Sequence, residues 1–127
     1  TVVEQREGAV IYHCSAGKDR AGVISALLLR LLGAEDSAIY ADYLYTNTAL
    51  SHELEEAQSA ALALSDDERA ANYVLGFFAA CPCWLAAALD TLDKRFYSIE
   101  GYIAQMTKVT GWETEEFKRI CIEKSPD

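Results

Sequence analysis

The chain has 127 residues, a length that suits one domain with a modest core. Its hydrophobic share of 51% and its charged share of 24% are typical of a globular protein and exclude a disordered one. A net charge of -9 argues against nucleic acid as a partner, and no apolar run reaches the roughly 18 residues that would predict a membrane span.

The four cysteines, Cys14, Cys81, Cys83 and Cys121, match no spacing that is typical of a zinc site. Cys81 and Cys83 are too close in sequence to pair easily, so we expect two buried thiols there. Free thiols favour a reducing compartment, and the sequence contains no recognisable signal peptide. We therefore expect a cytoplasmic protein.

Residues 9–13, with the sequence AVIYH, form a short apolar run that predicts a buried strand of a parallel sheet. The polar segment at residues 14–20 contains a central glycine and is typical of a loop. Residues 21–32 favour a helix, and Gly33 supplies its C-terminal stop. Because this helix is apolar almost all round, we expect it to be buried.

The rest of the chain has the capping residues and the apolar spacing of helices. Their expected ranges are residues 36–47, 50–64, 65–80, 82–96, 98–111 and 114 onward. The expected caps or first-turn residues are Asp36 or Ser37, Ser65 with Glu68, Pro82, Ser98 and Thr114.

One strand followed by six or seven helices is an incomplete fold, because a lone strand leaves its ladder hydrogen bonds unmade. We therefore expect residues 1–127 to be the C-terminal part of a single α/β domain. The remaining strands would precede Thr1 or come from elsewhere.

The loop at residues 14–20 has a spacing with a physical use, since five residues separate Cys14 from Arg20. Between a strand and a helix, such a loop can curl so that its backbone N–H groups point inward, and the helix N-terminus adds partial positive charge. The result is a cradle for a tetrahedral oxyanion. Gly17 allows the tight path at the crest, and the guanidinium of Arg20 can bind two phosphate oxygens.

The same N–H groups would face the sulfur of Cys14, stabilise its thiolate and lower its pKa. A thiolate placed there can attack phosphorus and form a cysteinyl-phosphate, which water then hydrolyses. The plainer alternatives are a buried strand-end thiol for Cys14 and a surface ion pair for Arg20. A bare Cys-x5-Arg pattern arises often by chance, but here an apolar strand precedes it and a buried helix follows it.

The segment HCSAGKDRAG at residues 13–22 resembles the signature of the cysteine-dependent tyrosine phosphatases, and within them the bacterial and fungal branch with HCxxGKDRTG. Downstream, residues 42–47 resemble that branch's DYL…SN segment and residues 86–102 its AALD…YGSxxxY segment. The resemblance covers nearly the whole chain but only the C-terminal half of such a phosphatase. It implies the α/β phosphatase fold and a substrate that is a phosphotyrosine protein or a phosphoinositide, with no metal or other cofactor.

The resemblance also implies the roles of the loop residues. Cys14 would be the nucleophile and Arg20 the phosphate clamp, while Asp19 would either act as general acid or hold the shape of the loop. The expected phosphate-binding residues are Ser15, Ala16, Gly17, Lys18, Asp19 and Arg20. His13 would support the loop and the thiolate from behind.

Lys18 has two alternative roles, contact with a second phosphate or acidic head group and a solvated place on the loop. Asp42 and Asn47 could approach the site from the next helix, but we expect a capping or packing role for them, and for His52 a place on a helix surface.

Two positions depart from the family pattern. Ala21 stands where a serine or threonine hydroxyl is thought to bond the cysteine sulfur and help it leave, so we expect slower breakdown of a phosphoenzyme. Tyr97 stands where a glycine is usual, which would reshape only a helix end.

The leading hypothesis is a phosphomonoester hydrolase, a protein-tyrosine phosphatase with phosphoinositides as a second substrate class. The alternatives are a phosphate-binding pseudophosphatase, which Ala21 and the absent upstream half favour, and a helical interaction module with a vestigial loop.

Overall fold

The computed structural model describes residues 9–64 and 68–122, and within these ranges the chain forms seven helices. They are α1 Asp19–Leu31, α2 Asp36–Ala49, α3 Ser51–Leu64, α4 Glu68–Phe78, α5 Pro82–Phe96, α6 Ile99–Met106 and α7 Gly111–Cys121. The helices predicted over residues 50–64 and 82–96 are confirmed to within one residue. The capping box predicted at Ser65 and Glu68 involves side chains outside the described residues.

The main core forms where α1, α2 and α5 meet. Ile39 of α2 and Leu85 of α5 are its largest fully buried side chains. The buried members of this cluster are Ala26, Ile39, Tyr43, Ala80, Leu85 and Leu89. Leu27 of α1 also packs against a second cluster, which contains Leu31, Leu92 and Ile99. The predicted burial of the helix after the loop is confirmed only in part. Helix α1 contributes to both clusters, but its buried residues are Ala21, Ala26 and Leu31, and Ile24 is 45% exposed.

Helices α3 and α4 pack mainly against each other, and aromatic side chains such as Tyr73 and Phe77 of α4 are exposed. Among the described helices, none alone is long and apolar enough to cross a membrane. Arg69–Phe78 and Pro82–Phe96 together would meet the length and composition criteria, with a bend of 51° between them.

Residues 9–13 do not show the predicted buried strand. They have no assigned secondary structure, and Ile11 is 90% exposed. A strand exists only where a neighbouring strand accepts and donates its ladder hydrogen bonds, and the described residues contain no other strand. Residues 9–13 therefore have the apolar composition of a strand, but the described residues contain no strand with which they could pair.

The cysteine pair after α4 also differs from prediction. Cys81 and Cys83 are joined in a disulfide with their Cα atoms 5.3 Å apart, so the expectation of two buried thiols is wrong. Cys81 is the extended N-cap residue of α5, and Cys83 lies in the first turn after Pro82. This change from extended to helical backbone brings the two side chains together. Cys14 and Cys121 are free.

Helix ends are governed by local hydrogen bonds that the sequence only partly identified. Ser98 caps α6 as predicted, since its Oγ accepts the N–H of Gly101 at 3.0 Å. However, α6 ends at Met106 rather than near Gly111. Likewise, α2 begins with Asp36 as its first helical residue rather than as its cap.

The cap of α7 is Thr110, and the prediction of Thr114 is wrong. The N–H of Thr110 donates to Glu113 at 2.8 Å, and the Oγ1 of Thr110 accepts the N–H of Glu113 at 3.3 Å. This reciprocal pair satisfies two donors at the helix start. Thr114 lies inside the helix, where its hydroxyl donates to the carbonyl of Thr110.

Two residues with positive φ mark helix ends next to the core. Gly33 has φ of +85° and follows α1, as its predicted role as a helix stop requires. Tyr97, the C-cap of α5, has φ of +66°. The left-handed region favours glycine, so the glycine usual in the resembling family suits this helix end better than tyrosine does.

The close approach of α1 to α2 depends on Gly22. A Cβ atom at Gly22 would lie 2.8 Å from the Cδ2 atom of Tyr43, whose ring is buried. By contrast, a Cβ atom at Gly76 of α4 would meet nothing within 4 Å. Both glycines lie in helices and differ in the space around them, so Gly76 can serve as the control for Gly22.

We predict that Gly22→Ala lowers the free energy of unfolding by about 1–3 kcal/mol, because the added methyl forces the Tyr43 ring or α1 to move. The control, Gly76→Ala, should raise it by about 0.5–1 kcal/mol, since alanine is the better helix former. Urea denaturation followed by circular dichroism measures both. Equal effects of the two substitutions would contradict the tight contact.

Candidate active site

The loop at residues 14–20, hereafter the 14–20 loop, leads directly into α1. Lys18 is the N-cap residue of α1, and its carbonyl oxygen accepts the N–H of Gly22 at 3.0 Å. Gly17 has φ of +70°, a conformation that suits glycine and disfavours other residues. The loop therefore turns sharply at Gly17, and the helix begins two residues later at Asp19.

Backbone N–H groups of the loop and of the first turn of α1 favour the thiolate form of Cys14. The N–H of Ala21 has the largest effect and lowers the pKa of the Cys14 thiol, while partial burial opposes it. The N–H groups of Gly17 and Ala16 and the charge of Arg20 lower the pKa further. The net result is a pKa below the ordinary value of a thiol, and most of the causes are backbone donors.

Arg20 and His13 contact the loop at its two ends. The Nη2 atom of Arg20 donates to the Oγ of Ser15 at 3.3 Å, so the guanidinium spans from the end of the loop to its beginning. The Nδ1 atom of His13 lies 3.3 Å from the carbonyl oxygen of Cys14. His13 thus contacts the backbone of Cys14, the residue that carries the sulfur.

Lys18 occupies neither of its predicted places. Its side chain is buried, and its Nζ atom donates to the carbonyl oxygens of Phe77 at 2.7 Å and of Ala79 at 3.1 Å. The same atom lies 4.9 Å from the centre of the Trp84 ring. The expectation of a solvated lysine is therefore wrong, and the ammonium is engaged by protein carbonyls instead of being available to a second phosphate.

A groove of about 530 Å³ adjoins the loop. Its walls are largely apolar, and its lining residues are Asp19, Arg20, Val23, Ile24, Tyr43, Trp84 and Leu85. The Asp19 carboxylate is exposed and lies 3.6 Å from the Nζ atom of Lys18. Burial and the charge of Asp19 raise the pKa of Tyr43. The groove thus places one carboxylate and one guanidinium beside an aromatic and aliphatic wall.

Among the downstream polar residues, Asn47 and His52 lie as predicted, whereas Asp42 has no capping or packing contact among the described residues. Asn47 packs against the turn after α4, where its Nδ2 atom donates to the carbonyl of Ala80 at 2.9 Å and its Oδ1 atom accepts the Ala80 N–H at 2.6 Å. Asp42 is exposed on α2, and His52 lies on the surface of α3 with its Nδ1 atom 3.8 Å from Glu56. Sequence reasoning missed Trp84 as a wall of the groove, because only folding brings α5 beside the loop.

We predict that Cys14 reacts with iodoacetamide at a lower pH in the folded protein than in urea, because a lowered pKa keeps the thiolate populated as the pH falls. Since the charge of Arg20 lowers the pKa of Cys14 less than the backbone N–H groups do, the Arg20→Met variant should retain most of this difference. Mass spectrometry of the Cys14 peptide across a pH series measures the midpoint. Identical midpoints in the folded and the unfolded chain would contradict the loop geometry.

Comparison with known proteins agrees with the loop. A sequence profile described as the tyrosine phosphatase family matches residues 1–123. The triple specificity protein phosphatase PtpB of Mycobacterium tuberculosis (strain ATCC 25618 / H37Rv) is 34% identical over 105 residues, which cover 74% of this chain and 37% of that protein.

A tyrosine-protein phosphatase of Nostoc commune is 48% identical over 42 residues, which cover 33% of this chain and 14% of that protein. The match therefore spans well under half the length of either relative. Because the family profile covers nearly every residue of the chain, and because the 14–20 loop has the donor geometry described above, this chain belongs to the tyrosine phosphatase family.

Proposed function

We propose that this chain is the catalytic-loop portion of a phosphomonoester hydrolase, a protein-tyrosine phosphatase that works through a cysteinyl-phosphate. The observation that supports it most is the bend at Gly17 that leads into the N-terminus of α1, where the backbone N–H groups of Ala21, Gly17 and Ala16 lower the pKa of Cys14. Donors that stabilise a thiolate also suit the equatorial oxygens of a phosphoryl group that sits above it. The same loop would thus prepare the nucleophile and bind the group that it attacks.

In the first step the Cys14 thiolate attacks phosphorus, a sulfur–phosphorus bond forms, and the ester oxygen–phosphorus bond breaks. The leaving oxygen takes the bonding electrons and one proton. In the second step water attacks phosphorus, the sulfur–phosphorus bond breaks, and inorganic phosphate and the thiolate are released. Arg20 would exchange its neutral partner, the Ser15 hydroxyl, for two phosphate oxygens.

The remaining loop residues contribute mainly through their backbone. Ser15 and Lys18 lie beside the three N–H donors on the same tight bend, which is the arrangement that an oxyanion requires. His13 would orient the carbonyl of Cys14 through its 3.3 Å contact. The side chain of Lys18 is excluded from phosphate contact in this proposal, because two carbonyl oxygens engage it.

Asp19 is our candidate for the general acid that protonates the leaving oxygen. It is exposed at the start of α1, and it shares the rim of the groove with Arg20. A carboxylic acid at that edge is within reach of an ester oxygen whose phosphoryl group lies in the 14–20 loop. The alternative is that Asp19 only holds the loop, a role for which its 3.6 Å approach to Lys18 is the relevant contact.

The walls of the groove favour an aromatic phosphate ester as substrate. Tyr43, Trp84 and Val23 present ring and methyl surfaces next to Arg20. An aromatic ring that is joined to the phosphate would bury apolar area there. A phosphotyrosine protein is thus the first substrate class and a phosphoinositide the second.

We further propose that residues 9–13 form a strand in a complete α/β phosphatase domain, of which residues 1–127 are the C-terminal part. The short share of each relative that this chain matches supports a longer protein, as does the exposed apolar side chain of Ile11. A cytoplasmic location stays a prediction. The cysteines at positions 81 and 83 no longer support it, because they form a disulfide, and disulfides are rare in reducing compartments.

We predict a burst of product followed by slower turnover when the natural-length protein hydrolyses an aryl phosphate, and no product from Cys14→Ser. Ala21→Thr should speed the slow phase by about one to two decades, because a hydrogen bond to the leaving thiolate is worth about 1.5–3 kcal/mol. Rapid-quench kinetics measure both phases.

Phosphate or vanadate binding without any turnover would select the pseudophosphatase. Neither binding nor turnover would select the helical interaction module. Equal slow phases in the natural chain and Ala21→Thr would contradict the role assigned to the missing hydroxyl.

We predict that Asp19→Asn lowers kcat/KM, which reports the first step, by about 10²–10⁴-fold for phenyl phosphate, whose leaving oxygen needs a proton. The loss should be much smaller for an aryl phosphate with an acidic leaving group, which departs without one. Steady-state rates on both esters measure the difference. An equal loss on both esters would assign Asp19 to the shape of the loop instead.

A further inference from the structure

The side chain of Lys18 is a buried cation that the proposed reaction does not use. It is only 3% exposed, although it belongs to a loop whose neighbours Gly17 and Asp19 are exposed. A buried ammonium is costly unless acceptors surround it. Its acceptors here are the carbonyl oxygens of Phe77 and Ala79, which lie 59 and 61 residues downstream.

Phe77 lies in the last turn of α4 and Ala79 directly follows the helix, where the last carbonyl groups have no partner within the helix and carry partial negative charge. The ammonium of Lys18 satisfies two carbonyls of this segment at 2.7 Å and 3.1 Å. It also faces the ring of Trp84 at 4.9 Å from the ring centre. One loop side chain is thus bound to the end of α4 and the start of α5.

The turn that Lys18 binds is itself held from the opposite side. Asn47 of α2 makes both a donor and an acceptor bond to the backbone of Ala80, and Ala80 is buried in the main core. The disulfide between Cys81 and Cys83 follows immediately. The residues after α4 therefore form a rigid support instead of a loose connection.

We propose that Lys18 is a positioning residue of the 14–20 loop, which anchors the crest of the loop to the turn between α4 and α5 and so aims the loop's N–H groups at Cys14. The proposal rests on the proposed function only in taking this loop as the phosphate site. Lys18 lies between two of those donors, since Gly17 precedes it and Ala21 follows in the first turn of α1. Its own carbonyl accepts the N–H of Gly22, so its position also sets the start of the helix.

The test measures the pH at which the Cys14 thiolate forms and does not depend on turnover. All variants are made in the full-length protein that also carries Cys121→Ser. The pH midpoint of Cys14 alkylation is then compared for Lys18→Met, Asn47→Leu and the control Lys94→Met. Lys94 is an exposed lysine of α5 that pairs with Asp90. We expect Lys18→Met to raise the midpoint by about one pH unit, so that alkylation at low pH slows about tenfold. The Lys94→Met control should not change the midpoint.

Asn47→Leu separates positioning from a direct effect of charge, because it loosens the same turn without removing a cation. We expect it to move the midpoint in the same direction by a smaller amount, and the double variant to move it by less than the sum. Lys18→Arg, which keeps donors and charge, should restore part of the lost reactivity.

A lower melting temperature of Lys18→Met with an unchanged midpoint would overturn the proposal, since a merely structural lysine predicts that result. An unchanged midpoint in Asn47→Leu, together with a shift in Lys18→Met that high salt abolishes, would also overturn it in favour of a direct field. If Lys18→Met does not fold, Asn47→Leu and Lys18→Arg decide the question. A protein that binds no phosphate and shows no burst would refute the proposed function while leaving this readout intact.

Discussion

The candidate site depends on one constraint, the placing of several backbone N–H groups of the loop and of the first turn of α1 near a single sulfur atom. Backbone donors are held in place by the path of the chain, so each aligned donor requires a defined φ and ψ. The positive φ of Gly17 and the immediate start of α1 meet that requirement. The lowered pKa of Cys14 is therefore a property of the fold more than of nearby charged side chains, with Ala21 as the leading donor.

The other helices position this loop by packing against α1. Helix α1 lies between α2 and the α5–α6 pair, and Leu27 packs against both hydrophobic clusters. On the α2 side, the absence of a side chain at Gly22 lets the ring of Tyr43 approach the helix backbone. The same ring then lines the groove beside Arg20. Packing of the core and shaping of the candidate site are thus the same contact.

Polar contacts over long sequence distances complete the support. Lys18 and Asn47 both bind main-chain groups after α4, and Arg30 of α1 donates to both carboxylate oxygens of Asp93 at 2.9 Å and 3.0 Å. Main-chain groups that turn away from a helix need partners when they are shielded from water. At the α4–α5 turn those partners come from α2 and the loop, which ties the turn to the candidate site.

The sequence alone determined the features that depend on neighbouring residues. The spacing of Cys14 and Arg20, the apolar pattern of α1, the stop at Gly33 and the cap at Ser98 all act within a few residues of chain. The structure shows the stop and the cap where they were expected, whereas α1 begins at Asp19, two residues earlier than predicted. The main local error was at α7, where two threonines compete as caps. Thr110 is the cap because Glu113 lies three residues later and completes the reciprocal pair.

Only the tertiary structure decided the features whose partners lie far away in sequence. The burial of Lys18 requires the end of α4, about sixty residues downstream, and the Trp84 wall of the groove requires α5 to pack beside the loop. The disulfide of Cys81 and Cys83 forms where extended backbone at Cys81 gives way to the helix at Pro82. The helix start could be predicted from the sequence, but the pairing of the two thiols could not. A strand at residues 9–13 needs a neighbouring strand for its hydrogen bonds, whereas α1 makes its own, and so the apolar pattern was sufficient for the helix and insufficient for the strand.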